Sequence, residues 1–331
     1  PVLADSFNTT TYTGSPLGTP YSVTGIGFRP DFVWIKCRGT AHFHYIVDTL
    51  RGPAGRIASD LSAGDPAYSP DEFQSFDSDG YTLIPTSGGG RTAYDLAGGY
   101  VGWAWKVNST PAINSNGSIN SLVSANQAAG CSVVKWTTNG SASQFVGHGL
   151  SAAPSIIIYK RLDGAQDWFF ETDIIGGTYN YLNLNTSGAA QAGGAAWSTR
   201  STSTTISAFT SSNNFDYIAY CFTSISGFSK FGTYTGNSST QSITGLGFQP
   251  NWLMIKQTNG SNAWRIFDSA RGLGNPQTLF ANLTSVEDNE SNTVSSFDSD
   301  GWTMGSQQGV NDNGDTYLYI AFKENPAQPA I

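Results

Sequence analysis

The residues best suited to chemistry are acidic, and they occur twice. Asp77, Asp79 and Gly80 in SFDSDGYTL return as Asp298, Asp300 and Gly301 in SFDSDGWTM. Alternating carboxylates before a glycine open a calcium loop, in which oxygens converge on a hard cation. Such a loop also needs further oxygen ligands and a closing glutamate at its twelfth position, and neither stretch supplies them. Asp-Gly is equally a hairpin turn, glycine accepting positive φ while aspartate bonds its own backbone. The hairpin is the better reading. NDNGD at 311–315 makes Asp312 and Asp315 weak calcium candidates, on a loop that also reads as an ordinary turn. No metal and no other cofactor is expected.

Asp48 with Arg51 and Asp268 with Arg271 share one spacing beside Gly52 and Gly272. Charge-assisted hydrogen bonds of this kind fix a turn, whereas a catalytic role would need two active sites in one chain. His42 and His44 put two rings on one face of a strand, a metal pair lacking a third ligand. His44 has Trp168 and Trp264 as counterparts, so the position is aromatic throughout and reads as a packing or binding platform. His148, in the turn GHGL, reads as a loop residue. His44, Trp168, Trp264 and the loop aromatic Trp197 are the candidate ligand contacts, with Tyr68, Tyr179 and Tyr181 of the same kind. Aromatic rings suit the C–H faces of sugars, and nearby Asn, Ser and Asp suit the hydroxyls. No GxSxG elbow, ordered Ser/His/Asp set or phosphate-cradling glycine loop occurs. No catalytic residue is therefore assigned, and the chain is not expected to be an enzyme, although paired carboxylates for glycoside cleavage are set by space rather than spacing.

The elements that must hold these residues repeat as well. GIGFRPDFVWIK at 25–36 matches GLGFQPNWLMIK at 245–256, VDTLRG matches FDSARG, and YVGWAWK from Tyr100 matches YLYIAFK from Tyr317. A weaker version lies between them, with GHGLSAAPSIIIYK at 147–160 and FDYIAYCF at 215–222. Self-similarity at roughly 110 residues predicts one domain-sized module used three times. Each apolar run after the proline predicts a buried strand. HYIVD, WFFET and WRIFD predict a second strand, and the alternation in YVGWAW predicts a half-buried closing strand with Trp103 and Trp105 inward. No stretch has a helical apolar period. The expected fold is all-β: three tandem sandwich-like modules, jelly-roll or lectin-like and packed together, over 1–106, 107–225 and 226–331.

Composition narrows the partners. Charged residues are 12%, about half the ~25% of ordinary soluble proteins, so Ser, Thr, Asn and 38 Gly must supply the polar surface. The net charge of −8 argues against nucleic acid, which needs a clustered basic surface. No run approaches the ~20 apolar residues of a membrane span. Cys37, Cys131 and Cys221 are odd in number and scattered, predicting reduced thiols and folding in a reducing compartment. With neither signal peptide nor initiator Met, the chain reads as processed or as part of a longer one.

Taken in order, GFRPDFVWIK, the D-x-x-RG turns, SFDSDG-(Tyr/Trp)-T and YVGWAWK resemble a family of repeat proteins of tailed bacteriophages, especially marine ones. GFSKFGTYTGN at 227–237 looks like that family's link into its last repeat. The resemblance spans essentially the whole chain. It implies a virion structural protein, folded in the host cytoplasm and commonly part of the tail or its fibres. Expected partners are other virion proteins and host surface polysaccharide, with oligomers possible; a capsid decoration protein and a glycan depolymerase are the alternatives. The resemblance brings no catalytic residue with it.

Overall fold

The computed structural model describes residues 6–65, 72–85, 99–107, 110–141, 144–176, 180–193, 201–208, 213–273 and 277–324. Among them regular structure is almost entirely strand, every ladder is antiparallel, and α1 (Gln308–Asn311) is a single turn. The opening strands are β1 (Phe7–Tyr12), β2 (Tyr21–Val23), β3 (Phe32–Cys37), β4 (Tyr45–Asp48), β5 (Phe73–Asp77), β6 (Gly80–Leu83) and β7 (Tyr100–Trp105). They form a sheet of order β1-β7-β3-β4 and a smaller one of order β2-β6-β5. β8 (Ala112–Asn114), β9 (Ser121–Asn126), β10 (Cys131–Thr137), β11 (Phe145–Gly147), β12 (Ile156–Arg161), β13 (Phe169–Thr172), β14 (Asn180–Asn183), β15 (Gln191–Ala192), β16 (Thr205–Ser207) and β17 (Asp216–Phe222) follow. Here the larger sheet is β15-β14-β13-β12-β17-β10-β9-β8, and β11 pairs β16. The last strands are β18 (Ser229–Thr235), β19 (Gln241–Thr244), β20 (Trp252–Gln257), β21 (Arg265–Asp268), β22 (Leu279–Phe280), β23 (Val294–Asp298), β24 (Gly301–Met304) and β25 (Thr316–Phe322). Their sheets are β18-β25-β20-β21-β22 and β19-β24-β23.

The period-two pattern decides which way each large sheet faces. Val33, Ile35, Cys37, Tyr100 and Ala104 meet Val23, Phe73, Tyr81 and Leu83 of the small sheet in one sandwich core. Two further sandwich cores gather around Val134, Tyr159 and Ile206, and around Leu253, Ile255 and Trp302. Each contains a stacked ring pair at one register position: Tyr12–Tyr100 at 5.2 Å, Trp136–Tyr217 at 5.6 Å and Tyr234–Tyr317 at 5.1 Å.

The opposite faces of the large sheets carry Phe32, Trp34, Trp103 and Trp105, Ile156, Ile158 and Tyr220, and Trp252, Met254 and Ile320, and these enter one shared core. Trp105, Phe222 and Phe322 end the three closing strands and meet one another at centroid distances of 5.8 Å, 6.4 Å and 5.7 Å. This corrects the expectation of a half-buried closing strand. β7 is buried along its whole length because its sheet has apolar neighbours on both faces. Trp103 and Trp105 do point inward, but into the core shared between sheets rather than into their own sandwich.

Candidate functional site

Every apolar β-strand that follows the proline ends on or near a lysine, and all three lysines are fully buried. A buried ammonium is tolerated only when polar groups replace its water. Lys36 Nζ donates to the carbonyls of Cys37 (3.1 Å), His42 (2.9 Å) and Thr284 (3.0 Å). Lys160 Nζ donates to Ser62 O (2.6 Å) and Gln166 O (2.5 Å). Lys256 Nζ donates to Ser187 O (3.0 Å), Gln257 O (2.6 Å) and Gly260 O (3.3 Å). Burial lowers all three to about 8. In each set one acceptor belongs to a different stretch of chain. Residue 36 reaches 284, residue 160 reaches 62, and residue 256 reaches 187.

The position shared by His44, Trp168 and Trp264 follows the same order. His44 Nε2 lies 2.8 Å from Phe280 O, Trp168 Nε1 donates to Ala58 O (2.8 Å) and Leu61 O (3.1 Å), and Trp264 Nε1 donates to Asn183 O (3.0 Å). Trp34 Nε1, which can only donate, bonds His44 Nδ1 at 2.8 Å. The imidazole proton therefore sits on Nε2 and is given to Phe280 O. Burial, then the nearby Lys36 ammonium, lowers His44 to about 3, so the ring is neutral. The three side chains are 0% exposed. They offer no ring face to a dissolved sugar, and the expectation that they contact a ligand gives way to a packing role. Trp197, Tyr68 and Tyr179 lie outside the described residues; Tyr181 is half-buried and bonds Gln191 Oε1 at 3.0 Å.

The Asp–Arg turns face the same seams. Arg51 pairs with Asp48 at 2.6 Å, and Tyr220, from the middle of the chain, donates to Asp48 Oδ2 at 2.8 Å. Arg271 pairs with Asp268 at 2.6 Å, and Trp103 Nε1 donates to Asp268 Oδ2 at 3.0 Å. Glu287 bridges Arg271 (2.7 Å) and Arg38 (2.8 Å). These are interior turn-fixing networks.

The repeated DSDG and Gly-x-Gly motifs are each other's partners. Asp79 accepts the N–H groups of Gly27 (2.6 Å) and Gly25 (3.1 Å); Asp300 accepts those of Gly247 (2.6 Å) and Gly245 (2.9 Å). Those two donors hold the Asp300 carboxyl below its ordinary value. Asp77 and Asp298 accept Ser75 and Thr82, and Ser296 and Thr303. In the middle stretch, which has no DSDG, His148 Nδ1 accepts Leu150 N at 3.1 Å and closes the corresponding turn. Asp315 accepts the side-chain amides of Gln257 and Asn259, and the backbone N–H of Asp312 donates to Tyr317 Oη. Among the described residues no group of three or more His, Cys, Asp or Glu is arranged to hold a metal ion, and no helix is long and apolar enough to cross a membrane.

Sequence reasoning assigned no role to Lys36, Lys160, Lys256 or Tyr220, and gave Trp103 a place in the core but no hydrogen-bond partner. The lysines carried a usable signal, since a charge at one place in three otherwise apolar runs needs buried partners. Tyr220 carried none, because its partner Asp48 is 172 positions away.

Fold and seams together define an all-β protein of β-sandwiches joined through buried polar and aromatic contacts. The chain belongs to the family described as Domain of unknown function (DUF7483), which matches residues 3–326. No curated protein and no solved structure matches it.

Proposed function

We propose that the chain is a structural protein of a bacteriophage virion, a tail or tail-fibre component that binds host surface glycans. In this reading three sandwich modules, 1–106, 107–225 and 226–331, close head to tail around Trp105, Phe222 and Phe322. The one-way cycle of lysine and ring-nitrogen contacts carries it: first module to third, second to first, third to second. Each module gives a charged donor and a ring N–H to one neighbour and receives the same from the other. Opening any one module then breaks two seams, which raises the free energy of local opening. A particle that works outside a cell needs such a body. Buried, reduced thiols fit folding in the host cytoplasm beforehand. Loops of Ser, Thr and Asn on the small sheets remain for partners.

The cyclic order also favours a second reading, capsid decoration, because three near-equivalent modules about one axis match a threefold position in a shell. Immunogold labelling of virions from the phage that encodes the chain separates the two. Gold on the tail or fibres supports the first reading, gold on the shell the second, and unlabelled virions overturn both. Reducing ends released from host polysaccharide by the purified chain would replace them with the depolymerase.

A further inference from the structure

At one end of the small sheet of the last segment, where Thr240 enters β19, β24 ends and β23 begins, lies a cleft of about 230 Å³. Thr240, Asn292 and Ser295 supply its exposed polar groups, Thr293 is buried in its wall, and Val294 and Met304, paired across the ladder, lie in the core beneath it. No lining residue is charged. The volume lies below the ~300–1,000 Å³ of sites for drug-sized ligands, which limits it to one small ring. Hydroxyl and amide groups with no charge among them complement a neutral polyol, whose hydroxyls both donate and accept.

The backbone singles out this cleft. The non-glycine residues with left-handed backbone among those described are Asn292 (φ 59°), in its wall, and Ser238 (φ 55°), two positions before Thr240. Such conformations cost roughly 1–3 kcal/mol and cluster at binding sites.

The cleft also lies where the last segment departs from the first. Leu83 and Met304 hold equivalent register positions, opposite Tyr21 and Gln241. Ile84 therefore stands where the last segment has Gly305, and the two N–H groups make equivalent bonds, to Glu72 O and Thr293 O. A Cβ on Gly305 would lie 2.7 Å from Asn292 O and 2.8 Å from its Cα. Glycine lets this wall approach as it does; a side chain like that of Ile84 would displace it.

We propose that the cleft between Thr240 and Gly305 binds one neutral pyranose unit of a polysaccharide. This rests on the glycan-binding reading above and names its site and ligand class. Calorimetric titration of the full chain with dextran, yeast mannan, galactomannan and the acidic polymer alginate tests it. Thr240→Trp plugs the cleft from an exposed position, and an unchanged Tm shows that the fold is intact. The expected result is saturable binding of a neutral polymer, at least tenfold weaker in Thr240→Trp at the same Tm. Gly305→Ile, which imitates the first segment, should weaken binding likewise. Undiminished binding by Thr240→Trp overturns the cleft and leaves glycan binding standing, as does binding confined to alginate. If the unsubstituted chain binds none of the polymers, cleft and glycan reading fall together.

Discussion

Lys256→Met tests the seams most directly. Methionine keeps the apolar stem and removes the three hydrogen bonds that Nζ makes to Ser187, Gln257 and Gly260. Bonds from a charged donor contribute about 1.5–3 kcal/mol each, so three of them contribute at most about 9 kcal/mol. Relief from burying an ammonium offsets several kcal/mol of that. The net cost is about 3 kcal/mol, at the low end for breaking a buried charged network. Differential scanning calorimetry then reports the size of the cooperative unit as well. At ~2.1 cal/mol/K per residue the whole chain unfolds with about 0.7 kcal/mol/K, so Tm falls by about 4 °C. A segment of roughly 110 residues unfolding alone carries about 0.23 kcal/mol/K and would fall by about 13 °C. One transition lowered by about 4 °C is expected. A shift under about 1 °C would refute the seam role of Lys256, and a separate transition falling by more than about 10 °C would refute the single closed body.

Acid should destabilise the fold through His44, which is held neutral with its pKa lowered from 6.5 to about 3. Protons then bind the unfolded chain preferentially, so stability is full above pH 6.5 and falls between 6.5 and 3, by about 2 kcal/mol at pH 5. Urea unfolding at pH 7 and pH 5 measures the loss, and His44→Gln should remove that part of it. All three cysteines are buried, with burial pushing the Cys131 thiol up to about 12. A thiol-reactive chromophore should find none in the native protein and three after denaturation. Phe322→Ala opens a cavity where the closing strands meet and should cost about 3–5 kcal/mol in chemical denaturation. Gly301→Ala puts a Cβ 1.8 Å from Ile243 O; a loss of more than about 2 kcal/mol is expected, and a native-like denaturation midpoint would contradict the tight hairpin.

Strand content was legible because it follows from local pattern. HYIVD, WFFET and WRIFD became β4, β13 and β21, and both DSDG stretches became turns between paired strands. Burial on the second face was not legible. Tyr100 and Trp103 look like the outer and inner rows of one half-buried strand, and only a neighbouring sheet makes both rows interior. The same gap misdirected the site. A position holding His44, Trp168 and Trp264 suggests an aromatic platform until its ring nitrogens are seen to end on carbonyls at 280, 58 and 183. The cleft was hidden differently: Gly305 against Ile84 is one difference among many, and its effect depends on how closely Asn292 approaches.

The divergent middle segment shows why the buried charges persist where they do. By register Asp48 and Asp268 correspond to Thr172, since these residues pair with Phe32, Trp252 and Ile156 at the head of equivalent strands. Counting three positions on, Arg51 and Arg271 correspond to Ile175, which packs against the shared core. The donors that serve the two aspartates, Tyr220 and Trp103, stand at the register position that holds Ile320 in β25. Where the carboxylate is present, another segment brings it a donor; the third copy of the donor position holds a branched hydrocarbon, Ile320. Partial replacement is the costly state, because one orphaned charge in the core costs about 3–5 kcal/mol, whereas exchanging the whole group for apolar residues is often neutral. Asp, Arg and the facing donor are therefore retained or lost together. Such joint loss is expected of residues that hold segments together, and a catalytic aspartate would have no reason to follow the residue on a neighbouring seam.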